Sequence, residues 1–80
     1  MKINNIEQID DFLSAVAASK KGVWLYTPSG DKFNLKSPLC RYIAIGKLLG
    51  EYGDLMELYC DSKDDIPLFF DFFKEHPETL

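Results

Sequence analysis

Ser37 stands between Lys36 and Pro38 in the run FNLKSPLCRYIAIG, residues 33–46. Its hydroxyl has two possible uses at that position. It can accept a phosphoryl group, with Lys36 and Arg41 as the cations attending a phosphate at a helix N-terminus. Alternatively, it can cap the helix that Pro38 opens, accepting an orphan backbone N–H, and Ser37→Ala is then expected to cost about 1 kcal/mol. The single histidine, His76, lies in KEHPE. Its acidic neighbours raise an imidazole pKa and repel a phosphorylated donor. With no nucleophile or metal partner at useful spacing, it is expected to be a solvated helix end. Cys40 and Cys60 have neither zinc-ligand nor redox-pair spacing and read as small buried apolar groups. The acid pairs Asp10-Asp11 and Asp64-Asp65 read as charges at helix starts, and Gly-rich phosphate-loop spacing is missing. Catalysis, a metal and a cofactor are therefore not expected.

The elements that must position these groups follow from periodicity. Ile6, Ile9, Phe12, Leu13, Val16 and Ala17 recur at helical spacing across residues 6–20, with Glu7, Asp10, Asp11 and Ser14 opposite. Asn4 or Asn5 is available as the cap. GVWLYT follows as an apolar strand, TPSG as a tight turn with Gly30 free to take a positive φ, and DKFNLK as an alternating edge strand. A helix from Ser37-Pro38 is expected to run through Leu39, Tyr42, Ile43 and Gly46 toward Leu49. DLMELYC is expected as a third strand, and the last helix is expected to start from Asp64 or Asp65, because Pro67 is tolerated only in a first turn. The order helix, strand, strand, helix, strand, helix predicts an α+β open-faced sandwich: one antiparallel three-stranded sheet with three helices on one face.

Eighty residues, 46% of them hydrophobic and 14% aromatic, suit one folded domain spanning residues 1–80. The net charge of −4 is unevenly spread: residues 20–47 carry five lysines, one arginine and one acid, whereas residues 51–80 carry nine acids and two lysines. That basic segment is too small and too poor in interleaved aromatics for nucleic-acid binding. No apolar run approaches a membrane span and no secretory segment is evident, so a cytoplasmic location without membrane attachment is expected.

The residues VAASK, the SG hairpin, FNLKS, the following IG, the apolar third strand and the last helix together resemble the HPr family, the histidine phosphocarriers of the bacterial sugar phosphotransferase system. The resemblance runs from about Glu7 to Glu75 and is most specific at NLKS, which places Ser37 where the family has a serine phosphorylated by a regulatory kinase. Pro38 replaces an ordinary apolar residue of the family. The departures bear on function. Aligned on ASK, the phosphate-accepting histidine position falls at Glu7 and the arginine position at Ile9. A carboxylate is not the nitrogen nucleophile of such a relay, and isoleucine neutralises no phosphoryl charge. The first family strand is also missing. The resemblance thus implies a non-catalytic regulatory or protein-interaction module of the phosphotransferase type. The alternatives are a phosphocarrier using another residue, a small-ligand binder on the open sheet face, and a structural subunit.

Alternation turns Val23, Leu25, Phe33, Leu35, Met56 and Leu58 toward the helices and sends Trp24, Tyr26, Asn34, Glu57 and Tyr59 to the other side. Trp24, Tyr26 and Tyr59 there form an expected interaction face for a protein partner or a second copy of the chain. The family strand order would leave the third strand with a free edge as well.

Overall fold

The computed structural model describes residues 1–50 and 53–80. It is an α+β open-faced sandwich with elements α1 (Ile6–Ala18), β1 (Val23–Tyr26), β2 (Lys32–Asn34), α2 (Pro38–Leu48), β3 (Glu57–Cys60) and α3 (Ile66–Glu75). The strands pair antiparallel in the order β2-β1-β3.

Local chemistry sets each boundary. Asn5 caps α1, its Oδ1 accepting the Gln8 N–H at 2.9 Å. The β1–β2 hairpin closes as the sequence requires: Gly30 has φ 94°, its N–H donates to the Thr27 carbonyl at 3.0 Å, and the Thr27 N–H donates to the Asp31 carbonyl at 2.8 Å. Asn34 ends β2 two residues earlier than alternation suggests. Its Oδ1 accepts the Lys36 N–H at 3.0 Å and its carbonyl accepts the Ser37 N–H, so the chain turns there. The third strand is also shorter than expected. Residues Gly53–Leu55 form a 3₁₀ turn in which the Met56 N–H bonds the Gly53 carbonyl, and pairing with β1 begins only at Glu57.

The core lies between the sheet and the helices. Phe12 and Val16 of α1, Val23 and Leu25 of β1, Leu35, Leu48 and Met56 are buried, with Phe69 and Phe72 of α3. Phe12 anchors α3, its ring centroid 5.9 Å from that of Phe69 and 5.5 Å from that of Phe72. The register Trp24↔Tyr59, Trp24↔Asn34 and Tyr26↔Glu57 sets these residues on the helix-free face, as alternation requires.

In α1 the expected stripe of Ile9, Phe12, Leu13 and Val16 meets the core and only its outlying members differ, whereas α2 buries a different face from the one its spacing suggests. In α1, Ile6 is 75% exposed and Ala17 is also exposed, whereas Gln8 is buried. Ile3, ahead of the helix, is fully buried, and Gln8 can be buried because its amide is bonded at both ends: Oε1 accepts the Asn4 N–H and Nε2 donates to Glu78. In α2, Ala44 and Leu48 are buried with Ile45 packed beside them, and Leu39, Tyr42, Ile43 and Leu49 face outward. The helix is apolar nearly all round, so spacing alone defines no single stripe, and small Ala44 lets the backbone approach the sheet most closely.

Gly46 faces open space, since beyond its chain neighbours and its own helix backbone no atom lies within 4 Å of where its Cβ would be. Gly46→Ala is therefore expected to raise stability by about 1 kcal/mol by removing the backbone-entropy cost of a mid-helix glycine. Gly30→Ala is expected to cost about 1 kcal/mol, because alanine is strained at positive φ. Urea midpoints of the two variants check both signs.

Candidate functional site

The Ser37 corner is built where three elements meet at the end of α1. Ser37 occupies the N-cap position of α2, and its carbonyl accepts the Arg41 N–H at 2.8 Å, but its side chain makes no cap hydrogen bond. The capping role expected of the hydroxyl is thus not realised. With φ −85° and ψ 124°, the extended Ser37 backbone and Pro38 at the first helical position start α2 without it.

Lys36 is committed elsewhere than expected. Its ammonium donates to the carbonyls of Val16 at 2.8 Å and Ser19 at 2.6 Å, satisfying the C-terminus of α1 rather than standing ready beside Ser37. Asp65 complements it. Its carboxylate is buried and accepts the N–H groups of Lys20 at 2.9 Å and Lys21 at 3.0 Å, so it serves the chain leaving α1 rather than its own helix. Those two backbone bonds, with smaller help from the Lys36 charge, hold the Asp65 carboxyl below the usual carboxylate range against the opposing effect of burial. Arg41 is half-buried one turn into α2 and is the cation of the expected pair whose guanidinium is not drawn into this joint.

His76 is not a solvated helix end. Its side chain is only 9% exposed, lies against the ring of Phe72 at 5.1 Å, and donates from Nε2 to Asp11 at 2.6 Å, with Nδ1 3.6 Å from Glu78. The hydrogen bond to Asp11 is the main cause that raises the His76 pKa above its ordinary 6.5, and burial opposes it. Asp11, Glu75 and His76 bring one ligand atom each within 4.8 Å. Within that group His76 Nε2 is already hydrogen-bonded to the Asp11 carboxylate.

The other sequence-singled residues are dispersed. Glu7 is exposed in the first turn of α1, and Ile9 packs on the core two residues later. Cys60 is half-buried, and burial, followed by the charges of Asp65 and Asp61, pushes its thiol pKa up, which disfavours a reactive thiolate. Cys40 is free and half-buried. On the helix-free face Tyr26 meets Tyr59 edge-on at 6.1 Å, and Trp24 is enclosed by Lys32 over its ring at 5.0 Å and by Asp61, which accepts the indole N–H at 3.2 Å. Tyr59 is the exposed member, at 57%, while Trp24 and Tyr26 are half-buried.

Two features escaped the sequence reading. One is the polar joint of Lys36 and Asp65, which lie 29 positions apart with nothing local to link them. The other is a groove between β3 and α3 lined by Ile66, Phe70 and Phe73, whose i, i+4, i+7 spacing was the available signal. Comparison with protein-family models, curated proteins and solved structures finds no match.

Two outcomes follow. Ser37→Ala is expected to shift stability by no more than about 0.5 kcal/mol, because it removes no hydrogen-bonded cap, and a urea titration reads this directly. His76 is stabilising while protonated: the folded-state pKa is raised, so its contribution is full below 6.5 and is lost as pH rises through the folded value. Urea midpoints are expected to fall between about pH 6 and about pH 9, and Asp11→Asn is expected to flatten that slope. Asp65 does not interfere, since its depressed pKa makes its own contribution fail only on acidification below 3.8.

Proposed function

We propose that this chain is a non-catalytic, HPr-like regulatory or protein-interaction module, related to phosphotransferase-system components but not itself a histidine phosphocarrier. The observation that carries the reading is the outward face of α2. Leu39 and Tyr42 are 70% and 81% exposed there, and Ile43 and Leu49 are 42% and 47% exposed. Beside them a shallow groove of about 450 Å³ is floored by Ile9 and Leu13 of α1. Four large apolar side chains on one helix and its C-cap, Leu49, exceed what scattered surface apolarity accounts for and suit a protein partner or a second copy of the chain.

Ser37 begins this same helix, so a phosphate added there would place two negative charges at the margin of the apolar face. Such a change alters a protein contact without any chemistry by the module itself. The HPr-like part of the reading draws on the FNLKS resemblance together with the β2-β1-β3 antiparallel order and its helices on one side. The non-carrier part draws on Glu7 and Ile9, and on the engagement of His76 with Asp11, which leaves that imidazole nearly closed to a donor.

Incubation with phosphoenolpyruvate and the general phosphotransferase enzyme is expected to leave the chain free of acid-labile phosphate, and labelling at His76 would overturn the non-carrier reading. For the interaction surface, solution mass and capture from lysate are compared for the wild type and for Leu39→Ser with Tyr42→Ser. The expected result is self-association or a retained protein that the double variant loses. A wild type that stays monomeric at high concentration and retains nothing through these side chains overturns it.

A further inference from the structure

We infer that the outer edge of β3 and the groove beside it form a docking site for an extended segment of another protein, one that alternates apolar residues with lysine or arginine and adds to the sheet as a fourth strand. The site is separate from the α2 face.

The backbone supplies the first half of the argument. The Asp61 N–H bonds the Gly22 carbonyl at 2.9 Å, so Gly22 and Asp61 form a hydrogen-bonded pair at the end of the β1–β3 ladder. Pairs alternate in an antiparallel ladder, so Trp24↔Tyr59 and Tyr26↔Glu57 are bonded pairs, while Val23↔Cys60 and Leu25↔Leu58 are not. The Leu35 N–H bonding the Val23 carbonyl at 2.8 Å agrees with this, because it turns the Val23 groups toward β2. The N–H and C=O groups of Leu58 and Cys60 therefore point away from β1. Among the described residues no backbone or side-chain group pairs with them. Two residues with four outward polar groups are the template for strand addition.

The side chains supply the second half. Leu58 and Cys60 lie on the helix side of the sheet, and α3 leans on α1 through Phe69 and Phe72. A groove of about 510 Å³ is left between β3 and α3. Ile66, Phe70 and Phe73 form its wall on α3, and Phe70 is 61% exposed although it adjoins a buried core residue. A strand bonded to Leu58 and Cys60 runs about 4.8 Å outside β3, and every second side chain points into this groove. Those positions call for apolar residues.

The alternate positions face the other side of the sheet, where β3 and its continuation present Glu57, Tyr59 and Asp61. Cross-strand neighbours of two acids are favoured when basic and disfavoured when acidic. The same charges select against a second copy of this chain. Two-fold pairing of β3 with itself about Tyr59, the register that joins Leu58 to Cys60 of the other copy by four hydrogen bonds, sets Glu57 opposite Asp61 twice. An apolar and basic strand from another protein avoids that acid-to-acid contact, and it ends before Met56, whose carbonyl accepts the Met1 ammonium at 3.0 Å.

The test uses the full chain and two labelled synthetic octapeptides, one alternating lysine and valine, the other alternating glutamate and valine, followed by fluorescence anisotropy. The lysine peptide is expected to bind at least about tenfold more tightly than the glutamate peptide, and to slow hydrogen exchange at the Leu58 and Cys60 amides. Ile66→Ser with Phe70→Ser is expected to weaken it by about tenfold or more, and both side chains are exposed enough to be replaced without unfolding. Glu57→Lys with Asp61→Lys is expected to reverse the peptide preference. Leu39→Ser with Tyr42→Ser is expected to leave binding unchanged, which separates this site from the α2 face. Equal binding of the two peptides, no binding of either, or binding indifferent to the groove and charge variants would overturn the inference. So would concentration-dependent dimerisation that Ile66→Ser with Phe70→Ser abolishes, because the occupant would then be a second copy.

Discussion

The end of α1 is the point on which the remaining geometry depends. A helix that stops inside a small domain leaves its last carbonyls without partners, and burying them unsatisfied costs more than most contacts return. Here Lys36 from the β2–α2 connection and the Ser19 hydroxyl satisfy the carbonyls of Val16 and Ser19. Asp65, immediately ahead of α3, takes the next two N–H groups. One cation and one anion, 29 positions apart in the chain, thereby fix where α1 ends, how α2 departs and where α3 begins. Three residues beyond Lys20 the chain enters β1, so the strand's position follows from the same joint.

That arrangement shows where the residues whose types suggest chemistry spend their hydrogen bonds. Lys36 and Asp65 have the right types for phosphate attendance or acid–base work, but their hydrogen-bonding capacity is spent on backbone groups. His76 and Asp11 are likewise spent on each other, joining the C-terminal segment to α1. Ionisable groups consumed in this way hold a small fold together when its apolar core is limited.

Sequence patterning revealed the parts in which one local rule acts unopposed. The hairpin follows from Pro28 and Gly30, the sides of the sheet from alternation in Val23–Tyr26, and the start of α1 from Asn5. Where two solutions satisfied the same rule, tertiary packing chose between them. α2 has apolar residues on every side, so the choice of Ala44 and Leu48 as its buried pair depends on the closeness of β2. Gln8 displaced Ile6 because Glu78, 70 positions later, completes its amide hydrogen bonds. His76 could not be recognised as a buried ion-pair partner without knowing that its turn packs against Asp11. Ser37 lies between these cases, since the position was readable but the unused hydroxyl was not.

The groove beside β3 shows how stability and recognition are divided within one helix. α3 is secured by Phe69 and Phe72, both buried on Phe12, and neither requires Ile66 or Phe70 for its contacts. These outward residues therefore contribute little to the core and incur the ordinary cost of exposing apolar surface to water. The same separation holds in the strand, where Glu57–Cys60 pair with β1 through one set of backbone groups and, among the described residues, leave the other set free. Packing thus accounts for half of α3 and hydrogen bonding for half of β3. The two unaccounted halves face the same opening, and only an extended chain satisfies both at once, its backbone meeting the strand and its alternate side chains meeting the helix.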